Sequence, residues 1–380
     1  MPFDPIYTTE HELFRETCRR FLAEEVVPYQ AEWEKAGIVP RALWTKAAEL
    51  GLLLPTTAEE YGGAGADFGF CAVFCEEVMR ANAAGAALGM ALHNDICAPY
   101  IEKYGTQEQK QRWLPAMAKG DVISAIAMSE PAAGSDLQGV KTRAVRDGDD
   151  YVITGQKTFI TNGQHADVVI VVCKTDPEKG AKGTSLILVE TDRPGFARGR
   201  NLDKLGMKAQ DTSELFFDSV RVPVSNRLGE EDQGFRYLME QLPRERLQAA
   251  VQGLAAAEAA LDWTVAYTRE REAFGQKVFD FQNTQFKLAD IKTECLVARA
   301  FVEKCIALQA QDGLTQDMGA AAKLYCSELQ GRATDECLQL HGGYGFMAEY
   351  PITKLYADSR VNRIYAGSSE IMRLIVARSL

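Results

Sequence analysis

From Thr8 to about Lys119 apolar residues recur at helical spacing, as in "HELFRETCRRFLAEEVV", which predicts a helical region. Thr9 with Glu12, and Thr106 with Gln109, have capping-box spacing ahead of two of these helices. From about Gly120 to Glu231 the texture changes to β-rich runs separated by turns: "YVITG", "DVVIVVCKT", "TSLILVE" and "ELFFDSVRVP". These predict a sheet or flattened barrel. From Gly234 onward helical spacing returns in three stretches, beginning "RERLQAAVQGL", "NTQFKLADIKT" and "MGAAAKLYCSE", each longer than an average helix. Small apolar residues dominate their faces, as a close-packed bundle requires. The expected class is therefore α+β, with domains at residues 1–119, 120–231 and 232–380.

Composition narrows the function classes. A chain that is 46% hydrophobic and 25% charged has the make-up of a globular protein, and its 380 residues can build two or three substantial cores. No window approaches the roughly 18 to 20 uninterrupted apolar residues of a membrane span. The opening "MPFDPIYTTEHELFRET" lacks a secretory apolar core and an Arg/Ser-rich transit composition, so the mature chain is expected to begin here. Nine cysteines are scattered without a CxxC, a reduced, cytosol-like pattern. A net charge of −11 argues against nucleic acid or anionic membranes as partners. The four histidines, His11, His93, His165 and His341, lack metal-ligand spacing, so no metal is expected. "GGAGADFG" at Gly62 reads as a loop, because its glycines are spaced GxGxxxG and no βαβ unit surrounds them. Neither a GxSxG elbow nor a Walker A motif is present.

Five stretches carry candidate chemistry: "SAIAMSEPAAGSDLQGVKT" at Ser124, "QKTFITNG" at Gln156, "REAFGQKVFDFQ" at Arg271, "QLHGGYGF" at Gln339 and "RIYAGSSEIMR" at Arg363. The first two set Ser129, Ser135 and Thr161 beside aromatic Phe159, a combination that can bond the edge of a planar heterocycle while packing its face. Turns of a β-domain with solvated hydroxyls would read the same way. Gly342 and Gly343 interrupt a helix where bare backbone could approach a pyrophosphate, or where the helix is simply capped. Arg271 could pair with phosphate, or end a solvated helix.

In this order the five stretches resemble the acyl-CoA dehydrogenase family of flavoenzymes over nearly the whole chain. "LPRERL", "HGGYGFMAEYPITK" and "SSEIM" look most like its long-chain branch. The resemblance implies an N-terminal α-domain, a middle β-domain and a C-terminal four-helix bundle, assembled as a homotetramer made of two dimers. It implies FAD between β-domain and bundle, its ring contacted by the Ile126 to Ser135 loop, including Met128 and Ser129, and by Phe159, Ile160 and Thr161. Arg271, Phe274, Gln282 and the segment Gln339 to Gly343 would hold the pyrophosphate and adenosine of an FAD bound mainly by a partner subunit. Ser368, Ser369 and Glu370 match cofactor positions, while Ser135, Arg246, Ala366 and Gly367 match substrate contacts. The family's electron acceptor is electron-transfer flavoprotein. The compartment implied is the cytoplasm, or the mitochondrial matrix for a processed eukaryotic chain.

The chain departs from the family pattern in three places. It has "SEPA" where Thr-Glu-Pro-Gly is common and Phe159 where many members have tryptophan; the hydroxyl and the ring face are both kept. At Ala366 many members carry the catalytic glutamate. The long-chain and isovaleryl branches carry it near the start of a bundle helix instead, and the matching residue in "LPRERL" is Glu245. Some such base is needed, because oxidising an acyl-CoA to its trans-2-enoyl-CoA removes the α-proton to a base while the β-hydrogen leaves as hydride. Without the resemblance, Glu245 between Arg244 and Arg246 would be an ordinary charged helix turn. Glu130, Glu349 and Glu370 are the other acids to weigh. The expected activity is FAD-dependent α,β-dehydrogenation of a medium- to long-chain or branched acyl-CoA. The alternatives are a flavin-dependent oxidase or oxygenase, whose usual added C-terminal domain 380 residues would not supply, and a catalytically silent acyl-CoA-binding flavoprotein.

Overall fold

The structure, a computed structural model, describes residues 6–380, so the first five residues of the opening stretch lie outside it. Seven α-helices come first: α1 (Thr9–Phe21), α2 (Gln30–Ala36), α3 (Ala42–Glu49), α4 (Phe68–Arg80), α5 (Ala84–Leu92), α6 (Ala98–Tyr104) and α7 (Gln107–Ala118). The cap of α7 is the expected one: Thr106 N–H donates to Gln109 Oε1 at 2.9 Å and Gln109 N–H to Thr106 Oγ1 at 3.2 Å. That of α1 is displaced by one residue from Thr9 and Glu12. Thr8 takes the cap, its N–H donating to Nδ1 of His11 at 3.1 Å, because the other ring nitrogen of His11 is anchored on Asp67. Asp67 also accepts from Gly69 N–H and so starts α4, and the glycine stretch ahead of it is the expected loop.

Eight strands follow: β1 (Ser124–Ala127), β2 (Arg143–Asp147), β3 (Asp150–Thr161), β4 (Val168–Lys174), β5 (Thr184–Glu190), β6 (Phe196–Asn201), β7 (Thr212–Pro223) and β8 (Arg227–Leu228). Seven of them join in the order β6-β7-β3-β2-β4-β5-β8, and β1 lies off this path against β4. One edge of β4 pairs first with β1, in parallel, and then with Arg143 of β2; its other edge runs antiparallel to β5. The uninterrupted apolar run of β4 is explained by burial on both faces. Val169, Val171 and Cys173 enter a core shared with Ile153, Ile187 and Phe217 inside the folded sheet. Val168, Ile170 and Val172 pack outward into the larger helical core. In β3 and β7, by contrast, burial alternates along much of the strand, as one solvated face requires.

The remaining helices are α8 (Gly234–Glu270), α9 (Gln282–Gln309), α10 (Gln316–His341), α11 (Pro351–Ser359) and α12 (Ser369–Ala377), with a small hairpin, β9 (Glu272–Ala273) and β10 (Gln276–Lys277), between α8 and α9. Small residues let α8 and α10 approach closely. A Cβ on Gly253 would meet the Cys326 carbonyl oxygen at 2.9 Å, and one on Gly319 would meet Pro243 Cα at 3.1 Å. The larger core runs without a break from the N-terminal helices into this bundle, and no helix among the described residues is long and apolar enough to cross a membrane.

Candidate active site

Pro243 stands inside α8 and has no N–H to give the carbonyl of Met239, one turn earlier. Gln316, the first residue of α10, supplies the missing donor through Nε2, and its Oε1 accepts from Nη1 of Arg246 at 2.9 Å. One glutamine thus repairs the helix and holds the neighbour of Glu245. Arg244 turns away, toward Thr56 and Asp95. Glu245 itself is 6% exposed and accepts from the Tyr100 hydroxyl, on α6, at 3.0 Å. Burial pushes its carboxyl up from 4.5 to about 7, against the lowering effects of Tyr100 and the Arg246 charge. A carboxyl held near neutrality in this way can accept a proton at ambient pH.

The turn ahead of α12 is built from strained backbone. Ala366 has φ +52° and Gly367 φ +94°, and the alanine holds a conformation that side chains disfavour. Lys323, fully buried on α10, donates from Nζ to the Gly367 carbonyl at 2.7 Å, while the Tyr365 hydroxyl donates to Gln252 Oε1 on α8 at 2.9 Å. Burial lowers Lys323 to about 8, with the Arg246 charge acting in the same direction. Ala366 N–H makes no hydrogen bond among the described residues.

A third group lies where β1 ends. Lys157, buried in β3, donates to the carbonyls of Met128 and Val172 and to Glu130 Oε1, at 3.0, 2.7 and 2.9 Å. Glu130 also accepts from the N–H groups of Lys141 and Thr142. Burial works to raise the Glu130 carboxyl, but the Lys157 charge and these donors hold it below its ordinary value. It is a structural anchor for the loop from Met128 to Ala133, unsuited to be a base. Thr158 N–H donates to the Ser129 carbonyl at 3.0 Å. The pairing of β3 with β7 then slips between Lys157 and Ile160, and Phe159, at φ +59°, is thrown out of the sheet with 68% of its surface exposed. Ile126 and Ile160 are buried beneath, Thr161 is half-buried and Ser135 is exposed on the loop.

The fourth group surrounds a cavity of about 610 Å³ lined by Arg271, Val278, Gln339, Gly342, Gly343 and Tyr344, among others. α10 ends at His341. Gly342 continues at φ +59°, ψ −137°, and no atom lies within 4 Å of where a Cβ on either glycine would stand, so bare backbone faces open space. Tyr267 stacks on His341 at 4.3 Å, and Arg271 lies over the Tyr344 ring. Phe274 and Gly275 form the two-residue loop of the β9–β10 hairpin, both with positive φ, and this tip leaves Phe274 96% exposed. Phe274, Gln282, Ser368 and Glu370 do not line the cavity. Ser368 caps α12; Gln282 opens α9; Glu349 and Glu370 are exposed.

Family models of the acyl-CoA dehydrogenase N-terminal, middle and C-terminal domains match residues 8–121, 125–220 and 232–380. This chain belongs to the acyl-CoA dehydrogenase family. It is 50% identical over 377 residues to the mitochondrial long-chain specific acyl-CoA dehydrogenase of Rattus norvegicus, covering 99% of this chain and 87% of the relative. The crystal structure of an acyl-CoA dehydrogenase from Geobacillus kaustophilus superposes with a TM-score of 0.96 at 48% identity, covering 98% of each chain. A glutaryl-CoA dehydrogenase from Mycobacterium smegmatis, in complex with FADH2, superposes with a TM-score of 0.92 at 30% identity over 98% of this chain and 95% of that one. As an acyl-CoA dehydrogenase the chain is an oxidoreductase acting on CH–CH bonds, with FAD as its cofactor. The residues fit that cofactor: the cavity has a cation and a bare glycine edge for phosphates, and Phe159 presents a mostly exposed ring.

Several residues of this candidate site give little or no sign in the sequence. Tyr100 gave no signal, since nothing local links it to a residue 145 positions away. Lys323 did: it falls on the stripe Gly319, Cys326, Gln330, Ala333, where a lone lysine must be buried and needs a partner. Lys157 lies inside "QKTFITNG", where a lysine alternating with hydroxyl and aromatic residues looks like any solvated strand position. Gln316 was detectable only as a possible remedy for the carbonyl that Pro243 leaves free.

Proposed function

We propose that this acyl-CoA dehydrogenase oxidises medium- to long-chain or branched acyl-CoA thioesters to trans-2-enoyl-CoA, with Glu245 as the α-proton base. The observation that carries the reading is the buried Glu245 carboxyl, poised at about 7 on a helix that packs beside the Ala366 turn. The similarity to a long-chain specific relative supports the chain length. With substrate bound, Glu245 takes the α-proton and becomes a neutral acid. The free Ala366 N–H donates to the thioester oxygen as negative charge develops there, and the buried Lys323 holds the turn that aims it. Arg246, fixed by Gln316, contacts substrate on the same side. FAD, when bound, would supply the acceptor for the β-hydrogen and its electron pair, while the pair left behind by the α-proton forms the new double bond.

In this reading the loop Ile126 to Ser135, with Met128 and Ser129, and the segment Phe159 to Thr161 hold the flavin ring, while Ser368 and Glu370 approach the cofactor from α12. Arg271, Phe274, Gln282 and Gln339 to Gly343 hold the pyrophosphate and adenosine of FAD seated mainly on a partner subunit of a homotetramer. The exposed hairpin tip at Phe274 supports such a reach. Electrons pass to an electron-transfer flavoprotein in the cytoplasm, or in the matrix of a mitochondrion. The domain limits 1–119, 120–231 and 232–380 belong to the same proposal. The test is anaerobic stopped-flow bleaching of the flavin by a panel of acyl-CoA thioesters. Glu245→Gln should keep FAD and bind substrate, but bleach about 10² to 10⁴ times more slowly. Bleaching at the wild-type rate would remove Glu245 from the role, and a preference for butyryl-CoA would remove the chain-length assignment.

A further inference from the structure

We propose that Tyr100 is a positioning residue for the reaction, its hydroxyl holding one oxygen of the Glu245 carboxylate so that the other is left to receive the α-proton. The inference rests on the reading of Glu245 as the base and concerns how that base is controlled. Tyr100 is wholly buried on α6, in the N-terminal helical domain, and its ring is fixed by the larger core. Its hydroxyl lies 3.0 Å from Glu245 Oε1; Oε2 has no protein donor among the described residues. The side-chain torsions of the glutamate are thereby restricted by a rigid phenol, whereas a lone glutamate would sample several rotamers. The hydroxyl remains a donor throughout, because burial, reinforced by the Glu245 charge, pushes Tyr100 well above the ordinary phenol range.

A hydrogen bond to a carboxylate is stronger than one to a neutral carboxyl, so Tyr100 favours the ionised base against the burial that opposes it. The surrounding groups leave this control to Tyr100 and one cation. On α6 and the turn before it stand Cys97 and Tyr104, the first buried and raised to about 12, the second donating to Glu240 at 2.7 Å. On α8, Arg246 is the charged group that acts on Glu245, and Arg244 is committed to Asp95 and Thr56. Without the phenol, then, the carboxyl would be both looser and harder to ionise.

The experiment is the pH profile of anaerobic flavin bleaching in the FAD-loaded protein, for wild type, Tyr100→Phe, Glu245→Gln and the double variant. A second readout needs no turnover: the protonated-carboxyl infrared band of Glu245, isolated by subtracting the Glu245→Gln spectrum. Tyr100→Phe should move both midpoints up by about one pH unit or more, the size expected for losing a bond to a charged group. It should lower the plateau rate several-fold and leave acyl-CoA affinity unchanged. Tyr100→3-fluorotyrosine, a stronger donor of nearly the same shape, should move the midpoints down, and it keeps the test open if the phenylalanine variant folds poorly. In the double variant the phenol should no longer matter. If Glu245→Gln stops bleaching but neither Tyr100 variant moves the midpoints, the positioning role is wrong and the base reading stands. If Glu245→Gln bleaches at the wild-type rate, the base reading fails and takes this inference with it.

Discussion

At the scale of single residues, a buried acid raised from 4.5 to about 7 is a cost carried by the fold, whatever it contributes to the proposed proton removal. Between those values the unfolded chain releases the Glu245 proton while the folded chain keeps it. The stabilisation from the protonated group is therefore complete below about 4.5 and is lost as pH rises through 7. A rise from 4.5 to about 7 corresponds to about 3 kcal/mol. Glu245→Gln removes the penalty, so the variant that hardly turns over should be more stable than wild type at pH 8, by up to that amount, and no more stable at pH 4.5. Thermal unfolding at the two pH values measures this, and an equal offset at both would exclude it. Ala366 was legible as a departure from a family motif, and that departure is what makes Glu245 the candidate base. The strain at Ala366 was not legible: its φ follows from how Gly367 and Lys323 close the turn.

At the scale of elements, the long helices, the apolar β4 and the Thr106 cap were legible because each is set by a local period or a local pair. The slip of one residue at α1 arose where two adjacent threonines offered the same chemistry and a distant aspartate decided between them. Pro243 shows the opposite limit. A proline inside a 37-residue helix argues for a break, yet the helix continues because Gln316 bonds the freed carbonyl and Gly319 lets α10 approach. Gln316→Leu should leave the Met239 carbonyl and the Arg246 guanidinium without this partner and cost about 1–3 kcal/mol in stability. It should also weaken acyl-CoA binding more than it slows proton removal, since Arg246 is the proposed substrate contact. Chemical denaturation together with a KM-against-kcat comparison checks both; a fall in kcat alone would count against it.

Across the whole molecule, the joint between the N-terminal helices and the sheet includes a histidine that cannot be charged without damage. His93 is wholly buried between the Met117 carbonyl at 3.2 Å and the Ser124 hydroxyl at 2.8 Å, and burial lowers it from 6.5 to about 4. In that window the unfolded state binds a proton that the folded state does not, so stability falls as pH falls from 6.5 toward 4, by up to about 3 kcal/mol. Glu245 works in the opposite direction over an overlapping range, and wild type alone will show only their difference. His93→Gln should be less stable than wild type at pH 7 but gain on it as pH falls from 6.5 to 4, because the Glu245 slope is then unopposed; a constant offset from wild type across that range would refute the assignment. The joint between domains was not legible in sequence, since the pairs that make it, His93 with Ser124 and Tyr100 with Glu245, lie far apart along the chain. That same scatter bears on biosynthesis. Tyr100 leaves the ribosome long before Glu245, and the Glu245 carboxyl is pushed up to about 7 only by the burial that follows when their helices pack. A chain still being translated would hold this glutamate as an ordinary exposed acid, and its carboxyl would rise toward 7 only once α8 has packed against α6.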